Sequence, residues 1–178
     1  MNKSIAVLVT DEFEDSEYWK PVDALRAAGY AIFNIEKKKD QVVKGKKDQT
    51  PVTIDLAIDD AKVEDYAGLL IPGGHSPDGL RGDPRFAQFV KAYDATGKPI
   101  FTICHGPHLL VSAEVVKGRQ MTSVSNIAID LKNAGAKFED QAVVIDDNRL
   151  VTSRTPEDLP AFNEAMLKVL QAHQDQGR

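Results

Sequence analysis

The chain alternates between short unbroken apolar runs and longer stretches in which apolar positions recur every three or four residues. Ser4 to Thr10 (SIAVLVT) is apolar almost throughout, the pattern of a strand covered on both faces. From Asp15 or Ser16 to Ala28 the spacing becomes helical, with Gly29 as the stop and Pro21 expected to kink or restart the helix. Tyr30 to Ile35 is a second strand. Glu36 to Thr50 is polar and lysine-rich around Val42 and Val43, and reads as a solvated edge hairpin or loop pairing with Val52 to Ile54. Ala67 to Ile71 is the next buried strand and runs into a loop, Pro72-Gly73-Gly74-His75-Ser76-Pro77-Asp78. Asp83-Pro84 caps and opens a helix that Gly97 ends. An apolar run through Ile103 is a further strand, and Leu109, Leu110 and Val111 continue as a helical face. A short strand near Gln120 to Thr122 and a helix from Asn126 to Ala134 follow. A hairpin then joins Val143–Ile145 to Leu150–Ser153 across Asp147-Asn148. A last helix begins at Thr155-Pro156 or Asp158 and carries Phe162, Met166, Val169 and Leu170 on one stripe.

Strands alternating with helices imply an α/β fold: a doubly wound, mostly parallel sheet with helices on both faces and right-handed crossovers. No repeat, linker or boundary is visible, so residues 1–178 read as one domain. Such sheets bind ligands beyond the carboxyl ends of their strands. Three loops lie there. They carry Glu12; Gly73, Gly74, His75 and Asp78; and Cys104 and His105.

Of the 178 residues, 42% are hydrophobic and 28% charged, with a net charge of -5. That balance suits a soluble globular protein and argues against nucleic acid or an anionic membrane as partner. The first apolar run is too short for a signal segment and no stretch is long enough to span a bilayer. With one cysteine and no export signal, a reducing cytoplasm is expected.

That one cysteine is placed where chemistry is concentrated. Cys104 falls where a buried strand turns into a helix through His105-Gly106-Pro107, the geometry of a nucleophile elbow with Cys in place of Ser. A helix N-terminus presents unpaired N–H groups and partial positive charge, which favour a thiolate. The thiol is therefore expected to titrate below an ordinary cysteine. The backbone N–H of His105 is free to meet an oxygen that develops charge. His105, directly after the nucleophile, reads as base or ion-pair partner; His75 as a substrate or acid-relay group; His108 and His173 as structural or surface. Glu12, just past a buried strand, reads either as a carboxylate that favours the following helix or as a site residue. Beside a thiolate it would stay protonated. No tight ligand spacing supports a metal site from His75, Asp78 and His105, and Gly73-Gly74 lacks the spacing of a dinucleotide-binding motif.

Three segments in this order, Thr10-Asp11-Glu12-Phe13-Glu14-Asp15-Ser16-Glu17, Pro72 to Asp78, and Ile103-Cys104-His105-Gly106-Pro107, resemble the PfpI family of the class I glutamine amidotransferase-like superfamily. The likeness is greatest to its YhbO-type bacterial general stress proteins and protein deglycases. It extends to Leu150–Pro156 and implies a flavodoxin-like sheet. The resemblance also implies Cys104 as nucleophile with His105, Asp78 as the acid, supplied in PfpI-like oligomers by a neighbouring subunit, and Glu12 as the carboxylate bonding the sulfur. It implies the backbone N–H groups of Gly74 and His105 as oxyanion donors, with no cofactor. His75, Glu17 and Pro107, within the same motifs, are candidate substrate contacts. Asp78 is one methylene shorter than the glutamate of some PfpI peptidases, and Val124 stands where some carry a tyrosine.

The resemblance implies a cysteine enzyme of stress defence acting on reactive carbonyls, as a glyoxalase or deglycase, on a small aldehyde or a protein adduct. It implies a homo-oligomer with shared sites. An intracellular cysteine peptidase, and a redox sensor or chaperone using Cys104 oxidation, are the other readings. A glutaminase is disfavoured, because no histidine lies near the last strand to complete its triad.

Overall fold

The computed structural model describes residues 2–177. Its central sheet has seven strands in the order β10-β11-β7-β6-β1-β2-β5. These are β1 (Ser4–Leu8), β2 (Ala31–Glu36), β5 (Leu56–Ala57), β6 (Gly68–Ile71), β7 (Ile100–Ile103), β10 (Val144–Asp146) and β11 (Leu150–Ser153). Neighbours run parallel except β10, which pairs antiparallel with β11. The chain builds outward from β1 through β2 to β5, then returns to the other side with β6. The switch point therefore lies between β1 and β6, where connections leave in opposite directions and open a crevice.

Side chains alternate across the pleat and bury both faces. Ile5, Val7, Phe101 and Ile103 pack beneath α1 (Asp15–Ala27) and α6 (Leu159–Gln176). Ala6, Leu8, Leu69, Ile71 and Ile100 pack against α3 (Pro84–Ala95), α4 (Pro107–Ser112) and α5 (Ala128–Asn133). This two-sided burial is why the strands read as continuous apolar runs. Each fully buried Leu, Ile or Phe contributes about 1.5–3 kcal/mol. Asp83 caps α3 as its sequence indicates, its carboxylate accepting the Arg85 N–H at 3.0 Å.

Several elements differ from expectation. Helix α1 runs unbroken through Pro21, because Tyr18, Pro21, Val22 and Leu25 form one buried face that outweighs one lost backbone bond. The loop after β6 contains a short helix, α2 (Ser76–Arg81), opened by a proline in its first turn. Strands β3 (Val42–Lys44) and β4 (Pro51–Thr53) form a separate hairpin whose buried Val43 and Val52 join the α1-side core, so it is not a solvated edge of the main sheet. Strands β8 (Gln120–Met121) and β9 (Lys137–Phe138) form a second small pair. Among the described residues no helix is long and apolar enough to cross a membrane.

Candidate active site

Strand β7 ends at Ile103, and Cys104 turns the chain with φ +62°, a left-handed conformation that costs a non-glycine residue about 1–2 kcal/mol. The surroundings hold it there. Its N–H donates to the Ser153 carbonyl at 3.1 Å, and its own carbonyl accepts the Val124 N–H at 3.1 Å. The next turn closes from Gly106 N–H to the Ile103 carbonyl at 2.9 Å, and Pro107 starts α4. Sγ is thereby left half-buried at the carboxyl edge of the sheet, 3.4 Å from Nδ1 of His105.

The loop after β6 comes up beside it. Gly74 adopts φ +78° and forms an antiparallel bridge with Phe13. A β-carbon at Gly73 would lie 2.8 Å from the Cys104 β-carbon, and one at Gly74 would run into the Phe13 backbone. With only hydrogen at both positions the loop packs close against Cys104, and the backbone N–H groups of Gly74 and His105 favour the charged form of its sulfur.

The carboxylate at the thiol is Glu17, and this corrects the expectation for Glu12. Glu17 lies on the first turn of α1, fully buried, and its Oε1 accepts the Gly73 N–H at 3.0 Å. Its Oε2 is buried with no hydrogen-bond partner, close enough to Cys104 for each group to act on the other's proton. The role given to Glu17 as a substrate contact does not fit a side chain with no exposed surface. Glu12 instead takes φ +63°, which turns its side chain out to 67% exposure, 3.5 Å from Nδ1 of an equally exposed His75. Glu17 recurs in step with Pro21 and Leu25 along the buried face of α1, so an acid in a core register was its signal in the sequence.

Burial pushes the Glu17 carboxyl up to about 8, helped by the charge of Glu14 and opposed by the Gly73 N–H, so it is protonated at neutral pH. Burial also pushes the Cys104 thiol up, and the charge of Glu17 adds to this. The N–H groups of His105 and Gly74 pull the other way without winning. The expected low thiol pKa is therefore reversed in direction: burial outweighs a helix as short as α4. His105 is held below its ordinary value, first by burial and then by the charges of His108, Lys46 and His75, so at neutral pH it is an unprotonated base.

Asp78 is exposed on α2 and, among the described residues, makes no hydrogen bond or ion pair with His105. Pro107 is buried at the start of α4, where it shapes the helix and offers little surface to a substrate. His108 pairs with Asp130 at 2.8 Å. No cluster of three His, Cys, Asp or Glu able to hold a metal is present among the described residues. The residue the sequence reading passed over is Lys46, whose charge is felt at Glu17, Cys104 and His105.

A sheet of this order with a strained cysteine at the end of β7 defines a class of fold and site, and comparison with known proteins identifies it. Residues 3–169 match the DJ-1/PfpI family, and the chain belongs to that family. It is 56% identical over 172 residues, covering 97% of this chain and all of the relative, to "Protein/nucleic acid deglycase 2" of Escherichia coli (strain K12). It is 50% identical over 171 residues, covering 96% of this chain and 99% of the relative, to "General stress protein 18" of Bacillus subtilis (strain 168). Among solved structures it matches, with TM-score 0.92 and 33% identity over 95% of this chain, a two-domain Anabaena variabilis protein with DJ-1/ThiJ/PfpI-like and ferritin-like domains. It spans only 48% of that longer chain.

Proposed function

We propose that this chain is a cysteine enzyme of stress defence that acts on reactive carbonyls without an added cofactor. The observation that carries this is one thiol placed among a protonated buried carboxyl, an unprotonated imidazole and two convergent backbone N–H groups. On a 2-oxoaldehyde such as methylglyoxal, Sγ bonds to the aldehyde carbon and the thiol proton passes to the carbonyl oxygen, giving a hemithioacetal. The N–H groups of Gly74 and His105 stabilise charge on that oxygen. His105 removes the proton from the former aldehyde carbon and the resulting enediol is reprotonated on the adjacent carbon, leaving a thioester. Water cleaves the thioester, releasing the hydroxy acid and restoring the thiol. Early carbonyl adducts on proteins or nucleotides present the same hemiacetal-like carbon, which accords with the deglycase name of the Escherichia coli relative. Glu17, protonated and buried beside Cys104, is a second proton donor at the site, available to the sulfur when it carries charge.

A second reading, oxidation sensing, draws on the same carboxyl, since a protonated Glu17 would donate to one oxygen of a Cys104 sulfinate. Asp78 enters the reading as the acid that a second copy of the chain supplies to His105. The purified protein should convert methylglyoxal to lactate and leave unfolded casein intact, and Cys104→Ser should abolish turnover. Casein cleavage without aldehyde turnover would favour the peptidase instead.

A further inference from the structure

A cavity of about 510 Å³ lies along the β2–β5 side of the sheet, and no residue of the Cys104 site lines it. That volume suits a small organic molecule. Its apolar wall is Phe33 of β2 and Tyr66, two residues before β6, whose rings stand 5.9 Å apart and tilted by 60°. Tyr66 is 3% exposed, and among the described residues its hydroxyl has no hydrogen-bond partner. The surroundings of that hydroxyl are the cavity's own. After burial itself, the charges acting on it are those of Asp65 and Asp55, both of which line the same space. A sheltered hydroxyl without a partner is matched by a ligand that donates to it.

The charge of the cavity says which ligand. Asp40 and Asp60 line it together with Asp55 and Asp65, and among the described residues none of the four is in an ion pair. Their backbone is fixed. Asp40 N–H donates to the Ile54 carbonyl at 2.8 Å, Asp55 N–H donates to the Asn34 carbonyl at 2.8 Å, and Asp55 Oδ2 accepts the Asn34 N–H at 2.8 Å. The opposing charges are Lys39 on the wall and Lys98, whose ammonium bonds to the Val63 and Tyr66 carbonyls and is under the charge of Asp65. Four carboxylates against two ammonium groups leave an excess of two negative charges. The carboxylates are spread around the wall, since among the described residues no three are close enough to hold a metal ion. A compact divalent ion meets only part of that excess. Two ammonium groups joined by a short methylene chain meet it at two places and lay apolar surface against the two rings.

We propose that this cavity binds an aliphatic diamine, its ammonium groups paired with the carboxylates and donating to the Tyr66 hydroxyl, its methylene chain against Phe33 and Tyr66. The site is separate from Cys104 and does not rest on the carbonyl-enzyme reading.

Calorimetric titration of the full chain with 1,4-diaminobutane at low salt tests this. The diamine should bind saturably, one per chain, with 1-aminobutane at least about tenfold weaker. Magnesium ion at equal concentration should not displace it. Tyr66→Phe removes only the hydroxyl and Asp65→Asn only a charge, and each should weaken binding about five- to tenfold. Lys39→Met removes a repelling charge and should tighten binding by a similar factor, a gain that a folding defect does not produce. Asp23→Asn, on the exposed side of α1, should leave the affinity unchanged. Absence of binding to the wild-type chain, displacement by equimolar magnesium, or unchanged affinity in either Tyr66→Phe or Lys39→Met overturns the proposal.

Discussion

Glu17 has no exposed surface, and its carboxyl is raised from 4.5 to about 8 by burial first and the Glu14 charge second. That has a direct consequence for stability. Between the unfolded value and the folded one, the folded state binds a proton that the unfolded state releases. Stability is therefore full below about pH 4.5 and declines as pH rises toward about 8. Glu17→Gln keeps the shape and the bond from Gly73 but cannot ionise. Relative to that variant, wild type should lose up to about 1.4 kcal/mol per pH unit across the window. Urea unfolding of both proteins at pH 5, 6.5 and 8 would measure it, and the difference cancels groups that titrate in both. A difference that stays flat with pH would mean that Glu17 is ionised in the folded protein. The same residue marks where sequence reading stopped. Cys104 was legible because an apolar run, a lone thiol and His-Gly-Pro coincide. Glu12 stands just past a buried strand, where a site carboxylate is expected, whereas Glu17 is marked only by its helical phase with Pro21 and Leu25. Which carboxyl faces inward depends on the left-handed turn at Glu12, and a non-glycine residue in that conformation leaves no mark on the sequence.

At the scale of elements, the β3–β4 hairpin depends on a carboxylate of another element. Burial pushes the Asp15 carboxyl up, but the N–H of Lys47 and the hydroxyl and N–H of Thr50 outweigh it and hold it down to about 2. Its stabilising contribution is thus present above about pH 3.8 and is lost as pH falls toward about 2. Asp15→Ala leaves several N–H groups without their acceptor and should cost about 1–3 kcal/mol near neutrality. Amide exchange should rise first at residues 45–50. Lowered stability with unchanged exchange at those residues would show that Asp15 acts on α1 alone. The hairpin was legible as strands, since Val43 and Val52 are the apolar positions of two short extended segments. Its docking was not, because a lysine-rich surface looks the same whether solvent or a catalytic edge lies beyond it. Helix α2 was missed for a related reason. Six residues starting Ser76-Pro77 and holding Gly79 are too few to show a helical period.

Across the whole molecule, the strand order gathers the site. Strands β1, β6 and β7 lie side by side, so the loops that follow them meet at one edge although they are far apart in sequence. That much followed from alternating strands and helices, because a buried parallel sheet must place its connections at its ends. One group stays apart. Asp78 is exposed on α2, four residues beyond Gly74, whose N–H faces the thiol. Within one chain His105 has Cys104 for a partner and no carboxylate within bonding distance among the described residues. If Asp78 serves the His105 of a second copy, each site is made by two chains, and complementation reads this directly. Cys104→Ser and Asp78→Ala should each be nearly inactive alone. Refolded together, a hybrid dimer contains one site with Cys104 and His105 from one chain and an intact Asp78 from the other, while its second site lacks both. Random pairing makes half the dimers hybrid with one of two sites working, so about a quarter of wild-type activity should return. Were Asp78 to act within its own chain, every site in the mixture would lack either the thiol or the acid. The mixture would then stay as inactive as its components, and the shared site would have to be abandoned.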